Sequence, residues 1–293
     1  MSSAKVAALA LRRTYIMSQT TLLTGCTSGI GLHLAHQFAS HGHPLILVAP
    51  DAAELEALAE ELTGRYGIEA RWIAKDLEAA NAAEEIYEQL QSDGVQVDIL
   101  VNNAGHGFHG KTWEIPIETH LSIIRLNVEA VVRLTQLFLP SMVARRTGKI
   151  FITASVAGFE AGPTVNVYHA SKAFVLSYAE GLAVELEDSG VSVTALCPGA
   201  TDTDFFAKAR MEGVVGFQKG NLMDPKDVAE AGYNGLMDGD LIVIPGVLNK
   251  TIIASRRFLS EHALAKISEK QYEDVPPEDQ KRSRGDKESS PAL

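Results

Sequence analysis

Short apolar or β-branched runs alternate along this chain with longer stretches whose apolar residues return at helical spacing. The runs are Thr21–Thr24, Leu45–Ala49, Ala70–Ala74, Ile99–Asn102, 149–153, Val191–Leu196 and 241–244. Such continuous runs read as strands of a parallel sheet covered on both faces. Between them Ile30, Leu34 and Phe38, and then Leu55, Leu58, Ala59 and Leu62, mark the inward faces of amphipathic helices. Asp51 with Glu54 three residues on, and Asp224 before Pro225, are helix-entry signals. Repeated βαβ units with right-handed crossovers predict an α/β fold: one domain built on a doubly wound parallel sheet of about seven strands. In such a fold the ligand crevice lies at the carboxyl ends of the strands.

Composition changes this picture mainly at the two ends. The chain has 293 residues, 46% hydrophobic and 22% charged, enough for one large core. Residues 1–17 read as an N-terminal extension; Lys5, Arg12 and Arg13 stand there without an acid, and Met17 offers a second possible start. Residues 18–250 are expected to form the main domain and 251–267 a C-terminal helical extension. The charged and small residues of 268–293, with Pro276, Pro277 and Pro291, predict a disordered tail.

A net charge of −11 argues against nucleic acid as a partner. No run of about 18 apolar residues is present, so no membrane span is expected. Cys26 and Cys197 lie far apart, without metal spacing, which suits a reducing, cytoplasmic setting and two small buried thiols. His33, His36, His41 and His43 lack a completing carboxylate or cysteine, so a solvated helix face is expected there and no metal site.

The first strand runs directly into Thr24-Gly25-Cys26-Thr27-Ser28-Gly29-Ile30-Gly31 and then a helix. Gly25 permits a tight turn, Gly29 a close backbone approach to a pyrophosphate, and Gly31 close packing of the helix, whose N-terminus favours an anion. Glycines alone can also serve a plain strand-to-helix turn. The position at the first βα junction favours a Rossmann-like cofactor loop.

A second cluster carries chemistry. Tyr168 and Lys172 stand four residues apart, on one face of a helix. A phenol titrating near pH 10 is a poor base, and a neighbouring ammonium is expected to lower its pKa. Ser155 ends the fifth strand with a hydroxyl able to donate to a substrate carbonyl. Asn127 is a polar amide in an apolar helical stretch.

Taken together these segments resemble the single-domain short-chain dehydrogenases and reductases, over roughly residues 20–247. The glycine loop has the family's Gly-x-x-x-Gly-x-Gly spacing. Asp76-Leu77 corresponds to the pair that holds the adenine, and Asn102-Asn103-Ala104-Gly105 to the segment lining the adenine side and steadying the sheet. Pro198-Gly199 with Thr203 matches the segment bearing on the nicotinamide carboxamide. Asn127, Ser155, Tyr168 and Lys172 match the catalytic tetrad.

The resemblance implies hydride transfer between NAD(P) and a carbonyl or secondary alcohol, with Tyr168 as acid/base. Lys172 would also bond the nicotinamide ribose, and Asn127 would hold a proton-relaying water. Cofactor choice stays open between NADP and NAD: Ala49-Pro50 at the second strand end supplies neither the acid of NAD enzymes nor a cation, and the small Ala49 leans to NADP by analogy. Phe108, Phe159, Val165, Phe205, Phe206 and Phe217 lie in the specificity segments, the last three within a lid at 203–223, and suggest a hydrophobic small-molecule substrate. The resemblance also implies a homodimer or homotetramer. A non-catalytic NAD(P)-binding redox sensor is the alternative reading, with a dehydratase or epimerase further behind.

Overall fold

The computed structural model describes residues 19–283. Seven strands, β1 (Thr21–Thr24), β2 (Leu45–Ala49), β3 (Ala70–Ala74), β4 (Ile99–Asn102), β5 (Gly148–Thr153), β6 (Val191–Leu196) and β7 (Ile242–Val243), form one sheet in the order β3-β2-β1-β4-β5-β6-β7. Every pairing is parallel. The helices are α1 (Gly29–Ser40), α2 (Ala52–Tyr66), α3 (Ala82–Ser92), α4 (Ile117–Ile124), α5 (Ala130–Ala144), α6 (Asn166–Glu185), α7 (Phe205–Lys208), α8 (Val215–Gln218), α9 (Pro225–Asp238), α10 (Val247–Ser255) and α11 (Glu261–Gln271).

Strand side chains alternate between two cores, as the pleat requires. Leu22, Ile46, Val48, Leu100, Ile150 and Ile152 face the layer of α3, α5 and α6. Their neighbours Leu23, Leu45, Leu47, Ile99, Val101 and Phe151 face α1, α2 and α9. Both entry signals form caps: the Asp51 carboxylate accepts from the backbone N–H of Ala53 and Glu54 at 2.8 and 3.0 Å, and that of Asp224 from Lys226 at 2.8 Å. The strand order turns back between β1 and β4, so the crevice opens above their carboxyl ends.

Two expectations need correction. Order does not stop at Ser268, which lies inside α11 and is 2% exposed. Leu264, Ser268 and Tyr272 recur at one-turn spacing and turn inward, and the chain beyond them hydrogen-bonds the rest of the domain as far as Arg282. Composition registers charge and proline but not this spacing. Residues 284–293, like the extension at 1–17, lie outside the described residues. The histidines form a solvated face only in part: His41 is exposed and His33 partly so, but the other two are engaged by neighbouring side chains. His43 is 5% exposed, bonded through Nδ1 to the Gln19 carbonyl and through Nε2 to the Tyr233 hydroxyl, while His36 meets Tyr66 and Glu61. Among the described residues no cluster suits a metal ion.

Candidate active site

The cradle begins with hydrogen bonds that tie three strand ends together. The Thr24 hydroxyl at the end of β1 donates to Val101 O (3.2 Å) and accepts from the backbone N–H of Asn103 and Ala104 (3.0 and 3.1 Å). The Asn103 amide donates to the Thr24 and Gly25 carbonyls (3.1 and 3.0 Å), and its oxygen accepts from the Thr153 hydroxyl on β5 (3.0 Å). Gly25 has φ +65°, and a Cβ there would come within 2.8 Å of Ala104 Cα. On Gly31 a Cβ would overlap the Gly25 carbonyl and reach 2.5 Å from Asn103 Nδ2, so the loop folds against itself only with glycine at both positions. Cys26 is tucked beneath, its thiol pushed up to about 12 by burial.

The mouth of this cradle suits an anion. Thr27, Ser28 and Ile30 are partly exposed around it, with Gly29 buried at the first position of α1. Ser28 caps α1 with extended backbone and without closing its hydroxyl on the first turn. Lys208, at the end of α7, places its ammonium 3.5 Å from the Ser28 hydroxyl. No motif in the sequence singles out this cation, because 180 residues separate the two. At the other end, the Asp76 carboxylate accepts from Glu78 N–H (2.9 Å) in an exposed turn after β3, while Leu77 is core beneath α3.

The four tetrad positions meet around the ends of β4 and β5. Lys172 lies 5.8 Å from the centre of the Tyr168 ring, as one helical turn requires, and donates to Thr153 O (2.7 Å). A Cβ on Gly105 would meet Asn127 Oδ1 at 3.1 Å and Lys172 Nζ at 3.3 Å, so glycine leaves space where the two converge. Asn127 stands in a π-turn, Arg125–Glu129, between α4 and α5. Its amide donates to His106 O (2.9 Å) and Ser171 Oγ (3.0 Å) and accepts from His106 N–H (3.0 Å). Ser155 caps a short turn, accepting from Ala157 N–H (3.1 Å), donating to Pro198 O (3.5 Å), and reaching the Tyr168 hydroxyl.

Burial dominates the electrostatics here. It pushes the Tyr168 phenol up to about 12, with the Ser155 hydroxyl pulling partly back, and lowers Lys172 to about 8. The expected depression of Tyr168 by Lys172 does not appear: desolvation of the phenolate raises the phenol, only the Ser155 hydroxyl opposes it, and the ammonium is turned to the Thr153 carbonyl.

The remaining segments close around this centre. Pro198 O also accepts from Val156 N–H (3.0 Å), the Thr203 hydroxyl accepts from Phe205 N–H (3.4 Å), and Gly199 lies against the Asn249 amide of α10. Phe205 covers the Tyr168 ring at 5.1 Å, with Gly107 beneath both rings. Val165, Phe206 and Phe217 form one apolar cluster with it, whereas Phe159 joins the main core and Phe108 packs under Arg210. His109 and His169, which had no role from sequence, both bond Tyr272.

This is an α/β protein with a glycine cradle beside a cluster of a partly buried Tyr168 with buried Lys172 and Ser155. Residues 19–213 match the family model for short chain dehydrogenases, and the chain belongs to that family. An uncharacterized oxidoreductase of Staphylococcus saprophyticus is 30% identical over 221 residues, covering 75% of this chain and 92% of that protein. A short-chain dehydrogenase from Sphingobium yanoikuyae, solved with NADPH, superposes with a TM-score of 0.74 at 32% identity, over 82% of this chain and 94% of that one. A bulky-bulky ketone specific alcohol dehydrogenase from Comamonas testosteroni gives 0.70 at 29% identity, over 82% and 92%. The chain is thus an NAD(P)-dependent oxidoreductase of this family. No helix among the described residues is long and apolar enough to cross a membrane.

Proposed function

We propose that this enzyme interconverts a hydrophobic ketone and its secondary alcohol, using Tyr168 as the proton donor and acceptor. The observation that carries this reading is the convergence of Tyr168, Ser155, Lys172 and Asn127 at the carboxyl end of the sheet, beside the glycine cradle. Bound nicotinamide supplies or takes up the hydride, and the chain's own residues handle charge and proton. Ser155 donates to the carbonyl oxygen as negative charge builds on it. Tyr168, held protonated by burial, delivers its proton to that oxygen in reduction and recovers it in oxidation. Lys172 supplies positive charge beside the phenol and would hold the ribose of a bound nucleotide, and Asn127 fixes the His106 backbone and the α6 turn that carries Lys172. Turnover of a ketone panel, compared with cofactor binding, tests the reading; tight binding without turnover would favour a redox sensor.

NADP(H) is the proposed cofactor. Gly25, Gly29 and Gly31 with the N-terminus of α1 would hold the pyrophosphate, Thr24, Thr27, Ser28 and Ile30 would frame it, Asp76 and Leu77 would flank the adenine, and Asn103, Ala104 and Gly105 would line the cleft between. Pro198, Gly199 and Thr203 would bound the nicotinamide. The Ala49-Pro50 strand end sets no acid against a 2′-phosphate, and the related Sphingobium yanoikuyae enzyme binds NADPH. Lys208 adds a cation over the phosphates: Lys208→Ala is expected to weaken NADPH about five- to tenfold, a loss that added salt diminishes, as read by nucleotide fluorescence titration.

Because kcat/KM reports groups of the free enzyme, the lowered Lys172 sets a pH dependence. Its charge is present below about 8 and lost above it. Ketone reduction is expected to fall as pH rises through that value; a profile flat from pH ~6 to ~10 would refute the assignment. The exposed apolar side chains Val143 on α5 and Phe174 and Val184 on α6 support a homodimer or homotetramer, checked by light scattering. Two buried free thiols suit a cytoplasmic setting.

A further inference from the structure

The chain beyond the family match does more than end the domain. After α11, residues 273–275 run antiparallel to the lid: Val215 N–H donates to Glu273 O (2.9 Å) and Val275 N–H to Gly213 O (2.8 Å), around a bridge between Val214 and Asp274. Further on, the Arg282 guanidinium donates to Phe217 O and Gly220 O (both 2.8 Å), and the Gln218 amide oxygen accepts from Lys281 and Arg282 N–H (2.8 and 3.0 Å). The lid is therefore laced to the C-terminal segment along its second half.

Tyr272 stands where this segment passes the catalytic centre. Its hydroxyl meets His169 Nε2 at 2.8 Å, and its ring lies edge-on to that imidazole at 5.5 Å. His169 Nδ1 donates to the Glu160 carbonyl (2.9 Å), which leaves Nε2 as the acceptor and the Tyr272 hydroxyl as the donor. Burial lowers the His169 pKa and so keeps the ring in this neutral form. The Tyr272 carbonyl accepts from His109 Nε2 (3.0 Å), and its ring packs into the cluster of Val165, Phe205, Phe206 and Phe217 beside Tyr168.

Three segments shape the space before Tyr168: the loop after β4, the loop after β5, and the lid. Tyr272 touches the first through His109, the second through the His169–Glu160 bond, and the third through the aromatic cluster. We infer that Tyr272 is a specificity-determining residue, forming the wall of the substrate pocket that limits how large a ketone substituent can lie against Tyr168. A ring there excludes bulk sterically, and its packing against the Val165, Phe206 and Phe217 cluster keeps it from swinging aside. This inference rests on the ketone reading above.

The test measures dissociation constants of a series of aryl alkyl ketones, from methyl to tert-butyl and phenyl, for the enzyme–NADP⁺ complex, where no turnover can occur. The parent is expected to bind the small members more tightly than the large. Tyr272→Ala should shift the large-to-small affinity ratio at least about tenfold toward the large, Tyr272→Phe should hold it within about threefold, and Tyr272→Trp should move it the opposite way. NADP⁺ affinity and melting temperature identify any variant that has merely misfolded. An unchanged ratio in both the Ala and Trp variants, with ketones still bound, overturns the wall and leaves the ketone reading intact. Binding of no ketone by the parent, despite tight NADP⁺, overturns both.

Discussion

Tyr168→Phe is expected to lower ketone turnover by about 10²- to 10⁴-fold while leaving NADPH affinity within about threefold. The substitution removes one oxygen and keeps the ring, with its packing against Phe205 at 5.1 Å and over Gly107. Structure should therefore survive and chemistry should not. The size of the effect follows from what the hydroxyl does: it is the donor that burial keeps protonated, and Ser155 bonds the carbonyl without having a proton to give up near neutrality. Single-turnover reduction with prebound NADPH isolates the step. If Tyr168→Phe reduces ketone at the parental rate, the proton comes from elsewhere and the proposed mechanism fails.

A companion variant sharpens the assignment. Ser155→Ala removes both the oxyanion donor and the cap on the Val156–Phe159 turn, where Ala157 N–H bonds its oxygen at 3.1 Å. A loss of about 10- to 100-fold is expected, smaller than for Tyr168→Phe because the proton source remains. Reduction kinetics on the two variants under one condition would expose a reversed order.

Sheet and site were legible in the sequence to different depths. Strands β1, β2 and β4 are continuous apolar runs, fully buried because both faces of the sheet are covered there, and that burial makes the pattern unambiguous; β3, at the sheet edge, exposes Arg71 and Trp72 and buries only Ile73. β7 contracts to Ile242–Val243 because it pairs only with Ala195 and Leu196 at the far end of β6. The Tyr168–Lys172 spacing placed both groups on one helical face, since a single turn of helix fixes their relation. Their ionisation was not legible. It depends on how completely the surrounding segments bury the phenol and the ammonium, which no local pattern encodes.

The same limit explains His169, Tyr272 and Lys208. His169 is one residue from Tyr168, yet its partner Tyr272 is 103 residues away, in a stretch whose charge and proline content argued for disorder. Lys208 reaches Ser28 only because the lid folds back across the sheet. Contacts made by chain segments that meet late in the sequence are set by topology, and their residue types taken singly resemble any solvated helix.

Gly31→Val is expected to weaken NADPH binding by about 100-fold or more, near 2.7 kcal/mol, at a stability cost of about 1–3 kcal/mol. Space at this position is already filled by the Gly25 carbonyl and by Asn103 Nδ2, the latter 2.5 Å from where a Cβ would stand. A branched side chain must push one of them away. Moving Gly25 reshapes the turn that presents the loop to the pyrophosphate. Moving Asn103 breaks its bonds to Thr24, Gly25 and Thr153, and with them the link between the β1 and β5 ends. Neither yields at the far tip of a flexible side chain, because one is backbone and the other is bonded on both sides. Tyr168, Ser155 and Lys172 stand on β5, the turn after it and α6, linked to the disturbed loop only through Thr153, so ketone turnover at saturating NADPH should fall less than affinity. A fluorescence titration of NADPH into parent and variant, beside thermal melts of both, separates the two effects. Parental affinity in the Val variant would show that the cofactor's phosphates lie elsewhere and that the cradle serves only to join strand to helix.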